Sequence, residues 1–254
     1  MTSILQNNPV MGALYFFMGL RLILRPRLRR FVIFPLAINV ILFLGLFWWG
    51  ASQFNGWVNT LAANVPEILL WLMWPLFALA LAVFGFYTFA IAANLIAAPF
   101  NGVLAEAVEH ELTGAPLAGG EHGLKAIAKD AGIALTSELR KLAYILPRMA
   151  LLGTLFFIPG IQLVAPFIWF AFSAWMLAIS YVDFPMGNHG YGFKEQRAKV
   201  TQCRLAAIGF GAMVTVVIAI PFLNLIAIPA AVAGATVFWV KQLKETAGPI
   251  RRGP

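Results

Sequence analysis

A chain of 254 residues that is 61% hydrophobic and only 11% charged has too little polar surface for a soluble domain of its size, and reads as an integral membrane protein. Its net charge of +8 would suit a nucleic-acid partner, but four charge-free runs, 31–66, 68–105, 149–182 and 205–240, argue against nucleic acid and for a charge pattern set by membrane orientation. A lone cysteine, Cys203, excludes an intramolecular disulfide and a cysteine-only metal site.

The first twenty residues are uncharged but lack the basic start and compact small-residue cleavage site of a signal peptide, so they are expected to stay on the mature protein. Residues 8–24 place aromatics and leucines around most of a helix, as an interfacial helix would. "RPRLRR" then puts four arginines within six residues, directly before an apolar run. Pro26 suits the first position of a helix. The N–H groups of Arg27, Leu28 and Arg29 would then be unpaired first-turn donors at the positive end of the helix dipole. Such an end, with guanidinium forks around it, suits a tetrahedral oxyanion. The other reading of the same cluster is orientation and contact with lipid headgroups.

Each of the first two runs is long enough to cross a bilayer once, which takes about 20 residues. They predict transmembrane helices over 27–54 and 68–99, the second kinked near Pro75 and ending near Pro99. The connection between the runs carries one charge, Glu67, so it faces the exterior and the arginine segment faces the cytoplasm. Residues 102–148 then form a cytoplasmic, amphipathic helical region broken at 113–123 by "TGAPLAGGEHG".

Lysines and arginines fall only in 21–30, 125–148, 194–204 and from 241 onward, so the third and fourth runs must begin and end on the same side. Each contains turn chemistry: Pro159, Gly160 and Pro166 in one, Pro221, Asn224 and Pro229 in the other. They predict re-entrant helical hairpins at 149–182 and 205–240. Arms of about 10–13 residues would reach half of a hydrocarbon core about 30 Å thick. The alternative is two tight pairs of tilted full spans, for which runs of this length are short. The expected fold is a single all-α membrane domain: two long transmembrane helices, two re-entrant, hemi-penetrating hairpins and an amphipathic N-terminal helix. Backbone turns at membrane depth need protein or a water-filled cavity around them, which favours a homo-oligomer or a pore.

Two polar segments stand out from this apolar frame. Asn101 and Glu106 lie in "AAPFNGVLAEAVEHELTG", where Glu106, Glu109 and His110 share a helix face. These are too few ligands for zinc and form no H-E-x-x-H, so the choice is between an acidic face in solvent and a pathway lining. "YVDFPMGNHGYGFKEQR" holds Asp183, Asn188, His189 and Glu195; Asp183 and His189 suit proton handling, and a solvated turn is the plainer reading. There is no Walker A sequence and no G-x-S-x-G, and "GYGFKE" lacks the context of a dinucleotide loop. No catalytic residue, cofactor or metal is expected, and no enzyme activity.

Six ordered blocks resemble the CysZ-type sulfate permeases of bacteria: "RRFVIFPLAIN" (29–39), "IAAPFNGVLAE" (96–106), "YILPRM" (144–149), "FIPGIQLVAPFIWFAFSAWMLAISYVDFP" (157–185), "NHGYGFKE" (188–195) and "IPFLNLIAIPAAVAGAT" (220–236). The resemblance implies a multi-pass protein of the inner membrane that takes up sulfate for cysteine biosynthesis without an ATPase subunit, as an oligomer. It also implies a sulfate site in a Gly-Leu-Arg-Arg type segment before the second helix, matched here by Arg27, Leu28, Arg29 and Arg30. Arg27 stands in the glycine's place, and an L-residue does not adopt a glycine's positive φ cheaply. Sulfite and tetrahedral oxyanions share the substrate's charge and size. The competing class is a non-transporting scaffold or regulatory module whose arginines bind lipid phosphates.

Overall fold

The computed structural model describes residues 7–61, 66–114, 124–220 and 223–244, and every regular element among them is helical. In chain order these are α1 (Pro9–Ile23), α2 (Pro26–Leu61), α3 (Glu67–Thr113), α4 (Leu124–Thr154), α5 (Ala165–Asn188), α6 (Phe193–Gln202), α7 (Arg204–Ile218) and α8 (Asn224–Phe238). α8 is extended by a wider turn over Trp239–Leu243. The chain divides into two compact units, Met1–Arg29 with Asn101–Pro254, and Arg30–Phe100. By length and composition Pro26–Phe54, Ala165–Asn188 and Ile226–Leu243 can each cross a membrane, and α6 and α7, bent by 106° at Cys203, make a fourth candidate.

α1 begins where Asn8, in an extended conformation, accepts the Val10 N–H at 2.8 Å and Pro9 takes the first helical position. The helix expected over 8–24 forms over Pro9–Ile23 and packs on the protein along one side. Tyr15, Phe16, Leu22 and Ile23 are buried, and the helix docks on α7 and α8. Glycines make this possible: a Cβ on Gly12 would run into the Ala206 carbonyl, one on Gly19 into the Gly234 backbone, and one on Gly209 into Pro9. Lipid removes most of the hydrophobic drive between helices, so close backbone approach through small residues takes its place. The opposite side of α1 exposes Val10, Leu14, Phe17 and Leu24 together with Arg21. The stack of Tyr15 on Phe238, 5.4 Å between centroids, ties α1 to the end of α8.

α2 contains the expected 27–54 span, and Ile41, Trp48 and Trp49 are all more than 60% exposed, the surface of a helix meant for lipid or for other chains. In the Arg30–Phe100 unit, Phe54 stacks on Phe77 at 3.7 Å and meets Trp74 edge-on at 4.8 Å. α3 departs from the 68–99 expectation. It passes through Pro99 without ending and runs to Thr113, where Gly114 at φ +67° returns its N–H to the His110 carbonyl at 2.8 Å. A proline forfeits one backbone bond, whereas a break in an apolar setting strands several groups, so continuing the helix is the better solution. The expected 102–148 region is therefore divided between the end of α3 and the start of α4, and 115–123 of its break lies outside the described residues.

The third run does turn at Pro159–Gly160. Short tight turns over Leu155–Phe157 and Ile161–Leu163 flank Gly160 at φ +86°, and Phe156 meets Trp169 across the bend at 6.0 Å. The arms are not the short ones expected. Pro166 sits in the first turn of α5 instead of interrupting it, and α5 continues for 24 residues. In the fourth run the break lies between Ile218 and Asn224, and α8 continues through Pro229. Pro221 lies outside the described residues.

Candidate functional site

The arginine segment starts α2, as Pro26 predicts. Arg27 lies inside the helix, so this position needs no positive φ and the loss of a glycine there carries no backbone penalty. The expected free donors are a correction: both the Leu28 and the Arg29 N–H bond the Arg25 carbonyl at 3.0 Å, a shared acceptor at the helix start. The Leu28 side chain is buried at 2% exposure and anchors the turn, so it offers a ligand no contact. Arg27, Arg29 and Arg30 are exposed. Arg25 pairs with Glu111 at 3.0 Å and Arg27 approaches the same carboxylate at 3.9 Å. Neither Arg29 nor Arg30 has a carboxylate partner among the described residues, and Arg30 stacks on Phe31 at 4.9 Å.

No acidic residue occupies the first turn of α2. Cations at the positive end of a helix dipole are unfavourable, and three arginines stand there with a single partly exposed glutamate nearby. An anion bound at this end would relieve both the dipole and the mutual repulsion of the guanidinium groups.

The second polar site lies where the end of α3, α4, the α5–α6 connection and the end of α8 meet. Glu109 is 8% exposed, so the acidic face in solvent expected for 106–110 does not hold for this residue. Its carboxylate takes His189 Nε2 at 2.8 Å and Lys244 Nζ at 2.8 Å. Burial pushes the Glu109 carboxyl up, but the His189 and Lys244 contacts outweigh it and hold the group below its ordinary value. Asp183 forms a second knot, accepting from Lys141 Nζ at 2.8 Å and Gln196 Nε2 at 2.6 Å. Gln196 also donates to the Tyr191 carbonyl at 2.8 Å, and Asn188 Nδ2 reaches the Gly102 carbonyl at 2.9 Å.

Asp183 and His189 therefore occupy adjoining networks; Asp183 is half-buried within α5, whereas His189 stands in the turn that follows and is exposed. Asn101 and Glu106, half-buried on α3, belong to neither network. Glu195 acts locally, where its carboxylate accepts the Gly192 N–H at 3.0 Å and starts α6. Sequence reading missed Lys141, Gln196 and Lys244. Lys244 lies 135 residues from Glu109 and carries no local signature of the pairing.

The family described as Sulfate transporter CysZ/Etoposide-induced protein 2.4 matches residues 15–229. A protein named Sulfate transporter CysZ from Pectobacterium atrosepticum is 47% identical over 238 residues, covering 92% of this chain and 86% of that one. Proteins of the same name from Salmonella paratyphi A and Salmonella typhi are each 45% identical over 245 residues, covering 94% of this chain and 96% of theirs. With similarity running nearly from end to end, the chain belongs to the family described as Sulfate transporter CysZ/Etoposide-induced protein 2.4.

Proposed function

We propose that the protein is a sulfate permease of the bacterial inner membrane that carries sulfate inward for cysteine biosynthesis without ATP. The observation that carries this reading is the start of α2, where arginines crowd the positive end of a helix dipole with no acidic residue in its first turn. Similarity to proteins named Sulfate transporter CysZ supplies the identity of the anion. Sulfate must exchange a strong hydration shell for donors of matching strength, and Arg27, Arg29 and Arg30 supply charged forks at the membrane boundary. Leu28 holds the turn in place and does not touch the anion.

The basic segments place the start of α2 on the cytoplasmic side, so this site acts at exit or in sensing of internal sulfate. The apolar runs at 149–182 and 205–240 enter and leave by the same side as re-entrant hairpins. Their exposed apolar tips, including Phe157 at 86% and Leu163 at 76%, are covered by lipid or by other copies in a homo-oligomer. Asp183 and His189, held in the two networks, line or gate the pathway together with Asn101 and Glu106 of α3.

The test is uptake of labelled sulfate by proteoliposomes containing the purified protein, with a sulfate gradient and no nucleotide. Saturable uptake that sulfite and selenate compete for supports the reading. Vesicles no more permeable than protein-free ones would return the chain to the scaffold class.

A further inference from the structure

Beside the α5–α6 connection, Gln196 Oε1 and Trp239 Nε1 are buried polar atoms with no hydrogen-bond partner in the protein. Each of the two residues is 1% exposed. The Gln196 amide has only one workable orientation: its nitrogen donates to Asp183 Oδ1 at 2.6 Å and to the Tyr191 carbonyl at 2.8 Å, and the flipped amide would set an oxygen against both acceptors. Its oxygen is therefore an acceptor that needs a donor. Trp239 has the complementary need, since an indole N–H can only donate. Both residues are neighbours of Tyr191: Gln196 bonds its carbonyl, and the Trp239 ring meets its ring edge-on at 5.5 Å. Trp239 also packs on the His189 ring at 5.5 Å, so the pair stands where the Asp183 and Glu109 networks adjoin.

A buried donor or acceptor left unmet bears its full desolvation cost, and in native proteins such groups are met by ordered water or by a ligand. The chemistry of this pair selects the occupant. It must accept from Trp239 and donate to Gln196, which excludes a sulfate dianion, with no hydrogen to give, and a metal cation, with no lone pair to receive the indole N–H. Burial this complete also demands a small occupant. Water meets all three conditions. The backbone is distorted at the same place: α8 ends in the wider turn over Trp239–Leu243, where the Lys244 N–H reaches the Trp239 carbonyl at 2.8 Å, a device that recurs at functional sites. We propose that ordered water, singly or as a short chain, is bound beside Tyr191, accepting from Trp239 Nε1 and donating to Gln196 Oε1. Through Gln196 this water joins the Asp183 network and hydrates it from inside. The site takes water and not the anion, so it stands whether or not sulfate crosses the protein.

The experiment is X-ray radiolytic hydroxyl labelling of the purified full-length protein in detergent, read residue by residue by mass spectrometry. Radicals made from a bound water attack the side chain beside it even where bulk solvent does not reach. Trp239 should be labelled several-fold faster than Phe210 and Phe238, which are as deeply buried. The Q196L variant, which removes the acceptor, should lower Trp239 labelling several-fold; should it fail to fold, Q196M carries the same test. Saturating sulfate should leave the labelling unchanged. In ultraviolet resonance Raman, the difference between the native protein and W239F should show an indole whose N–H is hydrogen-bonded. Labelling of Trp239 no faster than that of the two phenylalanines, unchanged labelling in the folded Gln196 variants, loss of labelling on adding sulfate, or the signal of a free indole N–H overturns the proposal. Sulfate uptake into proteoliposomes decides the permease reading separately.

Discussion

At the scale of single residues, Glu109 is the most informative side chain. It is buried, yet its carboxyl is held below its ordinary value by His189 and Lys244. A carboxyl with a lowered folded pKa contributes stability that is fully present above the ordinary value of 4.5 and is lost as the pH falls through the lowered one. The melting temperature of the solubilised protein should therefore drop as the pH is taken below about 4.5, in a step that Glu109→Gln flattens. At neutral pH the same change should cost about 2 kcal/mol, because it removes the carboxylate that the half-exposed Lys244 ammonium and the His189 ring both bond. An unchanged melting profile in Glu109→Gln would mean that the network does not hold this corner together. Its partners lie 80 and 135 residues away, so no local pattern could announce the pairing, although Glu109 was visible as part of the polar face it shares with Glu106 and His110. Asp183 and His189 were legible for the opposite reason: they follow directly on an apolar run, where charge is expensive.

At the scale of elements, helix contacts made through glycine decide the packing of α1. Gly19→Leu or Gly12→Val would force a side chain into the backbone of α8 or α7 and should destabilise the protein by about 3 kcal/mol or more, a loss read in thermal melting. Gly45→Ala is the control: nothing lies near that position of α2, so the change should be neutral or stabilising by about 0.5–1 kcal/mol. The start of α7 provides a second check. Asn7 Oδ1 accepts the N–H groups of Leu205 at 2.9 Å and Ala206 at 3.2 Å, capping a helix almost two hundred residues away. Asn7→Ala should cost about 1 kcal/mol, and Asn7→Asp should restore most of it. The turn at Pro159–Gly160 is readable from sequence because two residues with unusual backbone demands stand together in an apolar run. The course of α3 through Pro99 is not, because proline weakens a helix everywhere but ends it only where water or another partner satisfies the exposed groups.

At the scale of the whole molecule, the distribution of charge accounts for most of what the sequence reveals. Runs without charge mark the segments expected to enter the membrane, and basic segments the side on which each is expected to begin and end. The docking of α1 on α7 and α8 escapes this logic, since an apolar helix face looks the same in the sequence whether it meets lipid or protein. The arginines at the start of α2 remain the feature that charge distribution alone does not explain, because orientation needs positive charge nearby but not crowded onto a dipole's positive end. Equilibrium binding of labelled sulfate to the purified protein, with chloride as competitor at fixed ionic strength, tests this most directly. Saturable binding that chloride does not displace, and that falls by about tenfold or more in the R29A/R30A variant, is the expected result. Equal binding in that variant, or no saturable binding to the native protein, would contradict the account and leave the arginine segment a purely topological role.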